Sequence, residues 1–200
     1  VMTSIKPFKI QTSDQELNDL KQRLALTRWP DKETPKDWTQ GIPLSYMIDI
    51  HEYWLNRYDW PARLALLNQW PGFKTEIDGL GIHFLHIKSA EPDALPLLMT
   101  HGWPGSIVEF QKVIGPLTNP TEHGGKASDA FDLVIPTLPG FGYSDKPVSP
   151  GWNIDRIAKA WDELMIRLGY DRYVAQGGDW GSIVTTQIGV QNLGHCLGIH

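Results

Sequence analysis

The sequence predicts an α/β fold built on a doubly wound, mostly parallel sheet, preceded by a helical and loop-rich extension. Two observations carry this expectation. From Phe73 onward, short strand-like runs (LPLLMT, FDLVIP, DRYVAQ and CLGIH) alternate with amphipathic stretches, as strand–helix units require. The apolar runs among them lack period-2 alternation, which fits central strands buried on both faces. Before Phe73 the chain shows helical periodicity and proline-rich loops instead. The expected division is therefore 1–72 as the extension and 73–200 as the first part of the sheet core.

Taken in order, Ser13 with Glu16 forms a capping-box pattern before Leu17, Leu20 and Leu24, which share one helical face. TRWPDKETPKDWTQGIP is a loop. Met47, Ile50 and Trp54 mark a second amphipathic helix, and Pro61 suits the first turn of a third that holds Leu64 and Leu67. FKTEI and LGIHFLHI flank Asp78-Gly79, a strong hairpin signal. LPLLMT reads as a buried strand. After HGWPGS, Ser106 and Glu109 suggest another capping box into IVEFQKVI. FDLVIP is the next strand, followed by the loop TLPGFGYSDKP. Asn153 can cap a helix bearing Ile157, Trp161, Leu164 and Leu168, with Gly169 ending it. DRYVAQ, GGDWG and SIVTTQIGVQN then read as strand, turn and helix, and CLGIH as one more strand.

Composition narrows the function classes. The net charge of -5 and the lack of any basic run or basic helix face argue against nucleic acid as a partner. One cysteine, Cys196, excludes a disulfide framework within the chain and fits a reducing, cytoplasmic setting. No apolar stretch approaches the roughly 18 residues of a membrane span, so no membrane role is expected. Homo-oligomer formation is left open.

The chemistry concentrates in GGDWGS, residues 177–182. A Gly-x-nucleophile-x-Gly turn between strand and helix usually presents a serine; here the central residue is Asp179. An aspartate is already an anion at neutral pH, with an unperturbed pKa of about 3.9. It can attack strained or activated saturated carbon directly and form an alkyl ester. That suits an epoxide or a haloalkane and suits peptide cleavage poorly. Hydrolysis of the ester then needs an activated water and an oxyanion hole. Elbow geometry assigns one amide to Trp180 and the loop HGWPGS supplies the second, from Trp103. Asp179 as a plain helix cap is the competing local reading, and HGWPGS in the preceding strand–helix unit weighs against it.

Other reactive residue types are read as structural. Ser182 belongs to a first helical turn, and Cys196 to the core. His101 at a strand end is expected to order its loop by hydrogen bonding. His51-Glu52 lacks the second histidine of a zinc-protease helix, and His83 and His86 point to opposite faces of a strand, so neither forms a metal site. No metal or organic cofactor is implied.

HGWPGS together with GGDWGS resembles an epoxide hydrolase of the microsomal type, in the α/β-hydrolase superfamily. The resemblance continues in IKPFKIQTSDQELNDLKQRL (N-terminal extension), FKTEIDGLGIHFLHIK (first hairpin), LMTHGWPGSIVEF (oxyanion loop) and MIRLGYDRYVAQ (approach to the elbow). It implies an extension that contributes packing and Asp179 as nucleophile, with Trp103 and Trp180 as oxyanion-hole amides. Microsomal relatives carry a membrane anchor; this chain, beginning after that point, resembles the soluble bacterial members. The family also uses two cap-domain tyrosines, a histidine base and an acid. Only 21 residues follow Asp179, with no Asp, Glu or Tyr among them, so His195 and His200 have no acid in that tail. The expectation is a complementary C-terminal segment carrying the tyrosines, acid and histidine, and a last strand with an open edge. Two alternatives remain: a dehalogenase-like hydrolase, weakened because Trp103 stands where dehalogenases usually place Asn, and a catalytically incomplete fragment that only binds.

Overall fold

The computed structural model describes residues 4–200, in two compact units. Gln11–Leu66 form one unit; residues 4–10 with Leu67–His200 form the other. This division differs from the 72/73 expectation, because β1 (Lys6–Pro7) is an edge strand of the sheet. Ile10 and Asn68 also exchange two hydrogen bonds of 2.9 Å, which holds residues 4–10 to the start of the core.

Within the helical unit, α1 (Asp14–Ala25) begins at the expected capping box. The Ser13 N–H donates to Glu16 Oε2 at 2.7 Å, and the Glu16 N–H returns to Ser13 Oγ at 3.2 Å. Leu17, Leu20 and Leu24 form its less exposed stripe. The next helix, α2 (Leu44–Asn56), has no fully buried residue, and Met47, Ile50 and Trp54 all remain well exposed. His51 Nε2 lies 2.7 Å from the Leu24 carbonyl and links α2 to the end of α1. α3 (Trp60–Leu67) carries Pro61 in its first turn, as expected.

The second unit is a seven-stranded sheet. β2 (Gly72–Ile77) and β3 (Leu80–Ile87) form the hairpin around Asp78-Gly79, whose φ values of 51° and 79° are those of a primed turn. β4 (Leu95–Thr100) leads into a 3₁₀ turn at Ile107–Phe110 and then α4 (Gln111–Thr118). The expected capping box is not formed there: Ser106 Oγ accepts from Val108 N–H, in a tight 3₁₀ turn, and not from Glu109. β5 (Phe131–Pro136) is followed by α5 (Ile154–Arg167), capped by Asn153 Oδ1, which accepts from Arg156 N–H at 3.0 Å. β6 (Tyr173–Gly177) leads to α6 (Trp180–Gln191), which starts two residues earlier than Ser182, and β7 (Cys196–Ile199) closes the sheet.

The strand order is β1-β2-β3-β5-β4-β6-β7. Pairs from β1 to β5 through β2 and β3 are antiparallel, and β5, β4, β6 and β7 are mutually parallel. Leu98 and Val134 face α5 and α6, in a core with Trp161, Leu164 and Val184. Their neighbours Leu97, Met99, Leu133 and Ile135 face the other side by strand alternation. β7 is an edge strand, with Leu197 and Ile199 about half exposed, as the open-edge expectation required.

His83 is buried on the face of β3 opposite Ile82 and Phe84, with no exposed surface, its Nδ1 2.8 Å from Thr137 Oγ1 and its ring edge-on to Phe8 and Tyr143. Nε2 has no partner among the described residues. Burial, and secondarily Lys74, push its pKa down to about 4. An unfolded histidine takes up its proton near pH 6.5, whereas this one stays neutral until about 4. Stability is therefore expected to fall as pH drops through that window, by about 3 kcal/mol for this one group. Urea midpoints measured from pH 7 to 4 should show the decline, and His83→Asn should reduce its slope.

Candidate active site

β4 and β6 are neighbours, with Thr100 opposite Gly177 in the register. β5 lies on the other side of β4 from β6, so the chain leaves β4 and β6 toward different neighbours. That is where a doubly wound sheet opens a crevice at its carboxyl edge. The loops after β4 and β6 start side by side and bring Trp103 to Asp179.

Asp179 has φ 53° and ψ -127°, a left-handed backbone that a non-glycine residue adopts only when its surroundings impose it. The imposing contacts are steric. A Cβ on Gly177 would run into the Gly181 backbone. A Cβ on Gly181 would run into the carbonyls of Thr100 and His101, so α6 starts directly against the end of β4. A Cβ on Gly102 would collide with the Asp179 carboxylate. The spacing of Gly177, Asp179 and Gly181 is thus a packing requirement of the turn. By contrast, a Cβ on Gly178 would meet nothing within 4 Å.

The carboxylate stands at the surface and is held from one side. The Trp103 N–H donates to Oδ1 at 2.8 Å. This bond, and after it the Trp180 backbone N–H, hold the Asp179 pKa below the usual aspartate value. The structure therefore brings together the three residues expected from sequence: Asp179, Trp103 and Trp180. Both amides expected to stabilise an oxyanion already favour charge on this carboxylate. Ser182 Oγ donates to the Asp179 carbonyl at 2.6 Å, within the first turn of α6. Beside the elbow lies an open cleft of about 410 Å³, lined by Trp180, Phe141, Trp152 and other apolar side chains. A larger cavity, about 540 Å³, is formed within the helical unit by Leu17, Leu20, Tyr53 and Trp54 among others.

The loop that follows β5 is fixed by residues that no sequence motif singled out. Asp145 accepts from Lys74 Nζ at 2.6 Å and from the Gly81 N–H at 3.1 Å. Ser144 Oγ accepts from the His83 N–H and donates to the Thr137 carbonyl. These partners lie 61 and more residues away along the chain for Lys74, Gly81 and His83. Only the Gly/Pro-rich loop composition hinted that this segment needed anchoring.

His195 does have an acid partner, supplied by α5 and not by the tail. Its Nδ1 is 3.0 Å from Asp162 Oδ2, and the Tyr173 hydroxyl donates to Asp162 Oδ1 at 2.8 Å. Burial, then Asp162, raise the Tyr173 pKa. The His195 carbonyl accepts from the N–H of Tyr173, the first residue of β6, whereas Asp179 follows the last. At about 3.3 Å per residue the pair lies roughly 15 Å from Asp179, on the opposite edge of the sheet. It is not the base of this site. His200 lies at the carboxyl edge, its backbone paired with Ala175 and Gly177, and it has no acid partner among the described residues. No group of three metal-binding side chains is found among the described residues, and no described helix is long and apolar enough to cross a membrane.

A strand–elbow–helix with an aspartate at its tip, opposed by a backbone amide from the loop after the neighbouring strand, defines the α/β-hydrolase class. The α/β hydrolase fold family matches residues 96–197. The family described as Epoxide hydrolase N terminus matches residues 5–110, and the chain belongs to it. It is 57% identical over 196 residues to a Stigmatella aurantiaca protein provisionally named an epoxide hydrolase, covering 98% of this chain and 44% of that one. It is 40% identical to Epoxide hydrolase 1 of Sus scrofa, again over 98% of this chain and 44% of the relative. The crystal structure of juvenile hormone epoxide hydrolase from Bombyx mori superposes with a TM-score of 0.88 at 36% identity, covering 99% of this chain and 47% of that one. The chain thus spans under half the length of these relatives.

The two glycine classes give a direct test of the elbow. Gly181→Ala is expected to destabilise the fold by about 1–3 kcal/mol through overpacking against β4. Gly178→Ala should stay within about 0.5 kcal/mol of the parent. Chemical denaturation of both variants measures the difference.

Proposed function

We propose that this chain is the nucleophile-bearing part of an epoxide hydrolase, converting an epoxide and water to a vicinal diol through an alkyl ester on Asp179. The observation that carries the reading is the Asp179 carboxylate on a constrained elbow, with the Trp103 N–H 2.8 Å from Oδ1. In the first step a carboxylate oxygen attacks an epoxide carbon; its C–O bond breaks and the ring oxygen takes a proton from a donor acid. In the second step water, deprotonated by a base, adds to the ester carbonyl carbon of Asp179. The Trp103 and Trp180 amides stabilise the resulting oxyanion. Collapse expels the diol oxygen, which takes the proton held by the base, and the carboxyl proton returns to the donor acid, so the diol leaves and the carboxylate is restored.

The donor acid, the base and its acidic partner are assigned to a complementary C-terminal segment, in keeping with the greater length of the relatives. Residues 73–200 are read as the first part of the hydrolase core and residues 1–72 as an extension that contributes packing. A small-molecule epoxide is the proposed partner, and a cytoplasmic setting fits the lone Cys196.

Incubation with a simple aryl epoxide, followed by mass analysis of the Asp179 peptide, tests this reading. One epoxide mass is expected on that peptide, with diol accumulating only when the complementary segment is present. Asp179→Asn should abolish the label; halide release from a haloalkane without epoxide labelling would favour the dehalogenase reading. Because the two amides favour the anion, labelling should persist on acidification below the usual aspartate range, near pH 3.9. A labelling rate that halves at or above that pH would contradict the arrangement.

A further inference from the structure

We infer that His101 is a positioning residue that holds the Gly102–Trp103 peptide with its N–H toward Asp179. The catalytic consequence rests on the epoxide hydrolase reading above; the geometry does not. A peptide unit is planar, with its carbonyl and N–H on opposite sides, so fixing one fixes the other. The N–H end of this unit donates to Asp179 Oδ1 at 2.8 Å. The carbonyl end is held twice, by His101 Nδ1 at 3.0 Å and by the Gly105 N–H at 2.9 Å.

The ring itself has little freedom. His101 has no exposed surface, and its Nε2 accepts the Leu138 N–H at 3.1 Å. With Nε2 an acceptor, the neutral ring carries its proton on Nδ1 and can donate only to Gly102. Phe141 packs edge-on against it, with ring centroids 5.5 Å apart. Leu138 and Phe141 belong to the loop after β5, so one histidine ties both loops at the carboxyl edge to one peptide orientation. The tie is needed because Gly102, which must lack a Cβ beside Asp179, is the residue that most easily permits that peptide to turn over. A turned peptide would point its carbonyl at the carboxylate and lose both bonds at Gly102.

The two chemical steps depend on this peptide differently. Ester formation uses the carboxylate and gains nothing from an oxyanion donor. Ester hydrolysis places negative charge on the oxygen that Trp103 faces. Loss of the tie should slow hydrolysis by about 10²–10³-fold, the usual effect of removing one such donor, and leave ester formation unslowed.

The experiment uses the whole protein with an aryl epoxide and two readouts: single-turnover rates of ester formation and decay on the Asp179 peptide, and titration of the ¹³C-labelled Asp179 carboxylate. For His101→Leu, ester decay should slow while formation does not, and Asp179 should titrate at higher pH than in the parent. For His101→Asn, whose amide can donate from near the Nδ1 position, both readouts should return toward the parent. If His101→Leu does not fold, His101→Gln, which reaches Leu138 but not the Gly102 carbonyl, replaces it with the same expectation. Equal slowing of both steps, or no difference between the Asn variant and the Leu or Gln variant, would overturn the inference. If Asp179 takes no label in the parent but its titration still moves with His101→Leu and returns with His101→Asn, the positioning role stands and the epoxide reading falls. If Asp179 is labelled but both readouts are unchanged in His101→Leu, the epoxide reading stands and the positioning role falls.

Discussion

The hydrogen bond from the Trp103 N–H to the Asp179 carboxylate joins residues 76 positions apart, and the rest of the site depends on it. It exists because Thr100 and Gly177 end neighbouring parallel strands in register. Two and three residues beyond that pair the chains meet again, and only glycine at 102, 177 and 181 leaves room for the meeting. The cost is local strain at Asp179, whose backbone sits in a region that disfavours side chains. Packing of Gly181 against the end of β4 holds that strain in place.

The outer parts of the sheet serve this edge. The hairpin of β2 and β3 supplies Lys74 and the Gly81 N–H to Asp145, and His83 supplies its N–H to Ser144, so the loop after β5 is held to the antiparallel side. Through Leu138 that loop reaches His101, and through His101 the Gly102 carbonyl. On the opposite edge, Asp162 is satisfied by Tyr173 and His195 and closes the other end of β6. One strand thus has a carboxylate at each end, and the two have opposite characters. Asp162 is buried and fully engaged, whereas Asp179 is exposed and held on one side only. The exposed one, with a free face, is the one able to meet an electrophile.

The proposed two-step hydrolysis divides its groups by origin. The proposed nucleophile and oxyanion amides lie at adjacent strand ends, because they are one carboxylate and two backbone groups. The cleft beside Trp180 is open, and β7 is an edge strand of the sheet.

Much of this was legible in the residues alone. Strand and helix positions followed from apolar runs and caps, because these are local effects: Ser13 with Glu16, Asn153 and Asp78-Gly79 all act within four residues of themselves. GGDWGS and HGWPGS pointed to Asp179, Trp103 and Trp180 as neighbours, because the elbow's steric demands are written in its glycines. Local pattern failed at Ser106, where the chain forms a 3₁₀ turn in place of a capping box. It was silent about the partner of His195, whose acid comes from α5, 33 residues earlier and outside the tail. The pairing of Asp145 with Lys74 and Gly81, the double hold on the Gly102 carbonyl, and the pairing of Lys6–Pro7 with β2 were decided by tertiary structure alone. Each is a contact between segments that carry no mutual signature, since a backbone carbonyl or amide is the same in every residue and only the fold determines which one a side chain meets.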